Sequence, residues 1–155
     1  MTRTVVTRRA AMLFLGAATL PMIARAANRP RVAVHKEPNC GCCSGWAAHL
    51  EAVGFPVTVT DTPQLNRVKA RLGVPADLWA CHTAEVDGYV IEGHVPSVAI
   101  DRLLAERPRA RGLAVPGMPN GSPGMEGREP EDYEVFLFGP QGQRVFARFR
   151  GTRAL

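Results

Sequence analysis

Strand-like and helix-like patterns of apolar residues alternate along this chain. Residues 31–35 form a short run typical of a strand, and Trp46, Leu50 and Val53 then recur at helical spacing until Gly54 offers a stop. The segment between this predicted strand and this predicted helix contains three cysteines. We therefore expect these cysteines on a strand-to-helix turn.

The rest of the chain continues this alternation and ends in a pair of strands. Asp87-Gly88 is a strong signal for a tight hairpin, and Pro96 suits the start of a helix. The other predicted elements are a strand at 55–60, a helix opened by Thr62 and Pro63, strands at 83–86 and 89–91, and a terminal hairpin of 133–138 with 144–149. The order β-α-β-α-β-β-α, with a C-x-x-C motif after the first strand, predicts an α/β fold with a thioredoxin-like core.

One long segment, residues 112–130, does not fit a regular element. It holds five glycines and four prolines in 19 residues, and we therefore expect a loop there. The predicted architecture is a thioredoxin-like core followed by this Gly/Pro-rich loop and a C-terminal β-hairpin.

The first 26 residues have the features of a cleaved bacterial export signal. Arg3, Arg8 and Arg9 precede an apolar run at 10–23, and residues 24–26 supply small side chains at the spacing of a cleavage site. The arginine pair also resembles a twin-arginine signal, so this route and the general secretory route both stay open. A retained membrane anchor would need about 20 apolar residues, and this run is shorter. We expect a periplasmic protein.

The excess positive charge of the chain belongs mostly to that signal segment. It contains four of the 19 lysines and arginines and none of the 14 aspartates and glutamates, so the remainder is nearly neutral. The net positive charge, which is the main argument for a nucleic-acid partner, is therefore absent from the rest of the chain. No stretch after the signal is apolar enough to span a bilayer. We expect residues 27–155 to form a single domain that binds neither nucleic acid nor a membrane.

The four cysteines of the chain are expected to form one site. Cys40, Cys42 and Cys43 lie within four residues, and Cys81 falls in the turn that a thioredoxin-like layout places beside the C-x-x-C motif. Such a cluster suits a soft metal or an exchange of electrons. Two structural disulfides are disfavoured, because a Cys42–Cys43 bond would be strained and a Cys40–Cys42 bond would close a very small ring. At most a Cys40–Cys43 bond and one bond to Cys81 fit the spacing. A redox dithiol of Cys40 and Cys43 stays open.

Several segments of the sequence resemble the DUF411 family. These segments are Cys40-Gly41-Cys42-Cys43, Trp79-Ala80-Cys81-His82-Thr83, Gly93-His94-Val95-Pro96, and Gly117-Met118-Pro119 through Ser122-Pro123-Gly124-Met125-Glu126. The resemblance covers residues 32–151, nearly the whole chain after the signal. It implies a thioredoxin-like fold, copper binding through the four cysteines, and a role in copper handling or resistance that includes redox change of the metal. It implies no defined catalytic activity.

The chemistry of the cysteines agrees with what this resemblance implies. Thiolates are soft ligands that favour Cu(I). Four thiolates carry too much negative charge for one Cu(I), so several ions bridged by shared sulfurs are our preferred hypothesis. Zinc stays open as an alternative, since sets of four cysteines, or of three with one histidine, suit it. A thiol-disulfide oxidoreductase that uses Cys40 and Cys43 is the alternative from another class.

Five further side chains are candidates for ligands or for groups that orient ligands: His82, His35, His94, Met118 and Met125. His82 is the strongest because it adjoins Cys81 and because imidazole suits copper. The methionines would serve as soft ligands or as part of a lid, although methionine is also a common filler of irregular gaps. The expected partners are copper ions and other periplasmic copper-handling proteins.

Overall fold

The computed structural model describes residues 29–155, so the predicted export signal at 1–26 lies outside the described residues. The strands are β1 (Val32–Lys36), β2 (Val57–Asp61), β3 (His82–Val86), β4 (Tyr89–Glu92), β5 (Gly112–Ala114), β6 (Asp132–Gly139), β7 (Gly142–Arg150) and β8 (Arg153–Ala154), and the helices are α1 (Gly41–Ala52), α2 (Leu65–Leu72) and α3 (Ser97–Glu106). Within this part of the chain, no helix combines the length and the apolar character that a membrane crossing requires.

All eight strands belong to one sheet in the order β2-β1-β3-β4-β5-β6-β7-β8. The pairs β1–β2 and β4–β5 are parallel, and the other neighbours are antiparallel. Because β1 and β3 run in opposite directions, the last residue of β1, Lys36, pairs with the first residue of β3, His82. The segment that follows β1 is therefore placed beside the segment that precedes β3.

Helices cover both faces of the sheet. Leu50 of α1 and Ile100 of α3 are buried in one core, which also contains Ile91 of β4. The adjacent strand residue Val90 belongs to a second core with Leu72 of α2. Successive side chains of a strand point to opposite faces, so α1 and α3 cover one face of the sheet and α2 covers the other.

The predicted mixed α/β fold is confirmed. The predicted order of the first seven elements is the order observed from β1 to α3, and both predicted hairpins are present as β3–β4 and β6–β7. The second helix begins at Leu65, later than predicted, because Thr62 accepts a hydrogen bond from the Gln64 N–H at 3.1 Å and forms a turn first.

The prediction that all of residues 112–130 are irregular is wrong for the first three. They form β5, which lies between β4 and β6. Residue 112 must be a glycine for β5 to lie this close to β4, because a Cβ there would overlap the backbone of Val90. The high glycine and proline content of the segment concealed a three-residue apolar strand, while the remaining residues form a loop as predicted.

Candidate metal centre

Three of the four cysteines surround the first turn of α1. Cys40 directly precedes the helix, and its N–H donates to the carbonyl of Glu37 at 3.1 Å, which closes the turn from β1. Cys43 is buried, whereas Cys40 and Cys42 are half-buried. Cys40 and Cys43 form a disulfide bond, and Cys42 and Cys81 are free thiols.

The structure brings all four predicted cysteines together. The Sγ atom of Cys42 lies 3.5 Å from that of Cys40 and 3.9 Å from that of Cys81. All four Sγ atoms lie within 4.8 Å of one another. Four sulfur atoms therefore converge where the start of α1 meets the segment before β3, and all four are soft donors once the disulfide is reduced.

His94 presents an unprotonated nitrogen to the cysteines. Its Nδ1 lies 2.7 Å from the carbonyl oxygen of Pro123, which can only accept, so Nδ1 carries the proton. Its Nε2 lies 3.0 Å from Cys81 Sγ. Burial lowers the pKa of His94, although the Pro123 carbonyl opposes this shift. The ring is thus held neutral with its lone pair directed at Cys81.

His82 is fully buried between two other rings. Its ring centroid lies 4.4 Å from that of Trp46 and 5.0 Å from that of His94. Its Nδ1 lies 3.4 Å from Cys81 Sγ, and its Nε2 has no hydrogen-bond partner within residues 29–155. Burial, reinforced by the proximity of His94 and Lys69, holds the pKa of His82 well below its usual range. Cys81, His82 and His94 thus form a second group of converging ligand atoms.

The Cys81 thiol is protonated near neutral pH in this arrangement. Burial raises its pKa to about 12, and the neighbouring Cys42 adds to the shift. The thiol therefore donates toward the bare Nε2 of His94. A metal that binds Cys81 must displace this proton, because the thiolate and not the thiol is the ligand.

Residues 117–126, which we call the covering loop, are packed onto the start of α1. A Cβ placed on Gly45 of the helix would lie 3.0 Å from the Cα of Gly124. A Cβ placed on Gly124 would lie 2.7 Å from the Trp46 backbone nitrogen and would overlap the Cys42 carbonyl. This close contact between backbones positions the Pro123 carbonyl that holds His94.

A buried ion pair supports the segment that carries Cys81. Lys69 Nζ lies 2.5 Å from Glu92 Oε1, and both side chains are almost completely buried. The same Glu92 oxygen accepts the backbone N–H of Ala80 at 2.6 Å. Thr83 completes the network by donating to Glu92 Oε2 at 2.6 Å and accepting from Lys69 at 2.9 Å. Glu92 thereby fixes the residue immediately before Cys81.

The other predicted candidates are His35, Met118 and Met125. His35 Nε2 lies 3.9 Å from Oε1 of Glu85 on the neighbouring strand, and His35 belongs to neither group of converging ligand atoms. Met118 is 54% exposed, and Met125 is half-buried within the covering loop.

Sequence reasoning missed Lys69, Glu92 and the role of the Pro123 carbonyl. One signal was present: Lys69 stands four residues after Leu65, on the apolar face of the second helix. A lysine on an apolar face predicts a buried acidic partner.

Two solved structures are similar to this chain over most of its length. They are forms 1 and 2 of the copper resistance protein CopG, each 45% identical in sequence with a TM-score of 0.74. The match covers 79% of this chain and 99% of form 1, and 78% of this chain and 98% of form 2.

Residues 78–125 match the family described as "Protein of unknown function, DUF411". That match contains Cys81, His82 and His94, while the motif of three cysteines lies before it. No curated protein sequence matches the chain.

Gly124→Ala is expected to detach the covering loop. Gly124 has φ of +85°, so alanine adds about 1–2 kcal/mol of backbone strain to the clash with α1. The expected result is a lower free energy of unfolding and faster alkylation of Cys42. Gly127→Ala is the matched control, since Gly127 has φ of +100° with nothing within 4 Å of its Cβ position. Equal effects of the two variants would show that the contact with α1 does not hold the loop.

Glu92→Gln is expected to lower the free energy of unfolding by about 3–5 kcal/mol, because it leaves the Lys69 ammonium buried without a counter-charge. Adding Lys69→Met to this variant removes the unpaired charge and should restore much of the loss. Urea unfolding with the disulfide intact measures both effects. A double variant no more stable than Glu92→Gln would refute the ion-pair account.

Proposed function

This chain belongs to the DUF411 family, and from that premise we propose that it handles copper, with its four cysteines binding the metal as cargo. The observation that carries the proposal is the convergence of four Sγ atoms within 4.8 Å of one another. Thiolate sulfur is the donor that favours Cu(I) over harder cations. The similar solved structures are of a copper resistance protein, which supports the same metal for this chain.

We propose that the site holds more than one Cu(I). Cys42 Sγ has neighbouring sulfurs at 3.5 and 3.9 Å, so shared sulfurs would bridge adjacent ions. Three ligands within four residues are poorly arranged to surround a single tetrahedral ion. Several cuprous ions would also balance the charge of four thiolates.

His94 and His82 are proposed as additional ligands at the Cys81 side of the cluster. The bare Nε2 of His94 is directed at the sulfur of Cys81, and the Pro123 carbonyl holds the ring in that orientation. His82 offers a neutral, buried imidazole beside the same sulfur. Met125 is a weaker candidate, and the exposed Met118 and the Glu85-paired His35 are weaker still.

Copper uptake by all four sulfurs is coupled to reduction of the site. The Cys40–Cys43 disulfide supplies no thiolate, and two electrons and two protons from an external dithiol reductant, which is itself oxidised to a disulfide, convert it into two thiols. Bound Cu(I) would then protect these thiols from reoxidation. In this way the same sulfurs link copper binding to a change of oxidation state.

The proposed location is the periplasm, which the chain reaches with removal of residues 1–26. The remaining residues, 27–155, are proposed to form a single thioredoxin-like domain. The support for the location is the signal-like pattern of the N-terminal segment. The support for the fold is the strand order β2-β1-β3-β4 with a cysteine pair at the start of the helix after β1. Copper-handling proteins of that compartment are the proposed partners.

A second function, thiol-disulfide exchange with other proteins, is favoured by one observation. The Cys40–Cys43 disulfide lies at the N-terminus of α1, where thioredoxin-like enzymes carry their reactive pair. Cys42 and Cys81 sit beside that pair, however, and would compete for it. Copper handling uses all four cysteines and is therefore the preferred function.

Anaerobic titration of the fully reduced protein with Cu(I) tests the proposed site. We expect more than one tightly held copper per chain, with zinc unable to displace it. Cys81→Ser should lower the stoichiometry because it removes the sulfur that closes the cluster. Ser44→Ala, a change at an exposed neighbour of the cysteines, is the control and should bind as much as the natural chain. An unchanged stoichiometry in Cys81→Ser would refute the four-cysteine site.

An insulin-reduction assay distinguishes the two functions. The metal-free protein, reduced before the assay, is expected to give negligible turnover, because Cys42 or Cys81 would trap the dithiol in an internal disulfide after the first exchange with insulin. Brisk turnover together with weak copper binding would identify a thiol-disulfide oxidoreductase instead.

A further inference from the structure

Two thiols remain when Cys40 and Cys43 are joined, and they face each other. The Sγ atoms of Cys42 and Cys81 are 3.9 Å apart, and neither residue belongs to the existing disulfide. We propose that Cys42 and Cys81 form a second, reversible disulfide bond, so that the site stores four electrons as well as copper. This inference rests on the proposed copper function and adds to it a source of reducing equivalents.

The local structure allows the two sulfurs to meet. A disulfide requires the sulfurs to approach by about 1.9 Å from their present separation. Cys81 lies in a bend before β3, outside any helix or strand, and both side chains are half-buried. Rotation of these side chains with a small shift of the bend therefore closes the gap without disturbing the sheet.

The other pairings available to Cys42 are worse. A bond to the adjacent Cys43 would be strained, and a bond to Cys40 would close a very small ring. Cys81 is 39 residues away in sequence and is brought close by the fold, so its bond to Cys42 closes no small ring. One arrangement of two disulfides is therefore favoured, with Cys40 joined to Cys43 and Cys42 joined to Cys81.

Formation of the second bond would reduce cupric ions. The sulfurs of Cys42 and Cys81 form one S–S bond, lose two S–H bonds, and release two protons to solvent. The two electrons reduce two Cu(II) to two Cu(I). With the Cys40 and Cys43 pair oxidised in the same way, one fully reduced chain would convert four Cu(II) into four Cu(I).

This chemistry also provides a route for copper release. Each disulfide that forms removes two thiolates from the site, and a disulfide is a poor ligand compared with a thiolate. Once both disulfides have formed, the site therefore no longer holds the Cu(I) that it has produced. An external dithiol reductant would return the site to the form that binds.

Oxidation of the fully reduced chain with diamide, in the absence of copper, tests the second disulfide directly. We expect a loss of about 4 Da, the mass of four thiol hydrogens, with no thiol left for alkylation. Trypsin should then release peptides 37–67 and 72–102 as one linked species before reduction, because Cys81 lies in the second peptide and the other cysteines lie in the first. A loss of only about 2 Da, with Cys42 and Cys81 alkylated, would overturn the proposal.

Single substitutions assign the bond. Cys42→Ser should keep the Cys40–Cys43 disulfide, lose the link between the two peptides, and leave Cys81 free for alkylation. Cys43→Ser should keep the linked peptides, because the second bond does not depend on the first. A peptide link that persists in Cys42→Ser would assign Cys81 to another partner and overturn the proposal.

A copper experiment separates this inference from the function on which it rests. The reduced chain is mixed with Cu(II) and a chromogenic Cu(I) chelator, and about four Cu(I) per chain are expected against about two for Cys42→Ser. If the natural chain formed only about two Cu(I), the inference would be overturned while copper binding would stay intact. Failure of the Cu(I) titration beside a clear second disulfide would instead overturn the copper function alone.

Discussion

The antiparallel pairing of β1 with β3 is the constraint on which the site depends. The chain leaves β1 and enters α1 within a few residues, so Cys40, Cys42 and Cys43 must lie near the end of β1. Because β3 runs in the opposite direction, its start lies beside the end of β1, and this brings Cys81 close to the other three cysteines. No local pattern could join residues so far apart in sequence, and the sheet does so as a consequence of its strand order.

The surroundings of Cys81 are held from three directions. Glu92 fixes the backbone of Ala80 from inside the sheet, and His94 faces the sulfur with a nitrogen whose protonation is set by Pro123. Gly124 fastens the covering loop to α1 by direct backbone contact. Buried ion pairs add little net stability, so the value of the Lys69–Glu92 pair lies in fixing this geometry. Reactive sulfurs in a fixed arrangement can exchange partners, either copper or one another, without refolding of the chain.

The order of the first seven elements could be predicted from local patterns, and the meeting of the four cysteines followed from the layout expected for those elements. The sequence was not sufficient for the contacts that hold the site. Lys69 on α2 and Glu92 on β4 are 23 residues apart and meet only when the helix packs on the sheet, so neither reveals the other locally. The contact of His94 with Pro123 depends on the path of a loop whose glycines and prolines predict only irregularity. The same glycine and proline content kept β5 from being predicted.

In our proposal, copper binding and thiol oxidation are competing fates of the same four sulfurs, and the reduced site holds copper as a sulfur-bridged cluster. X-ray absorption spectroscopy at the copper edge of the Cu(I)-loaded protein tests this claim most directly. We expect sulfur to dominate the nearest shell of ligands, with a further contribution from a neighbouring copper ion. Copper surrounded mainly by nitrogen or oxygen, with no copper neighbour, would contradict the account.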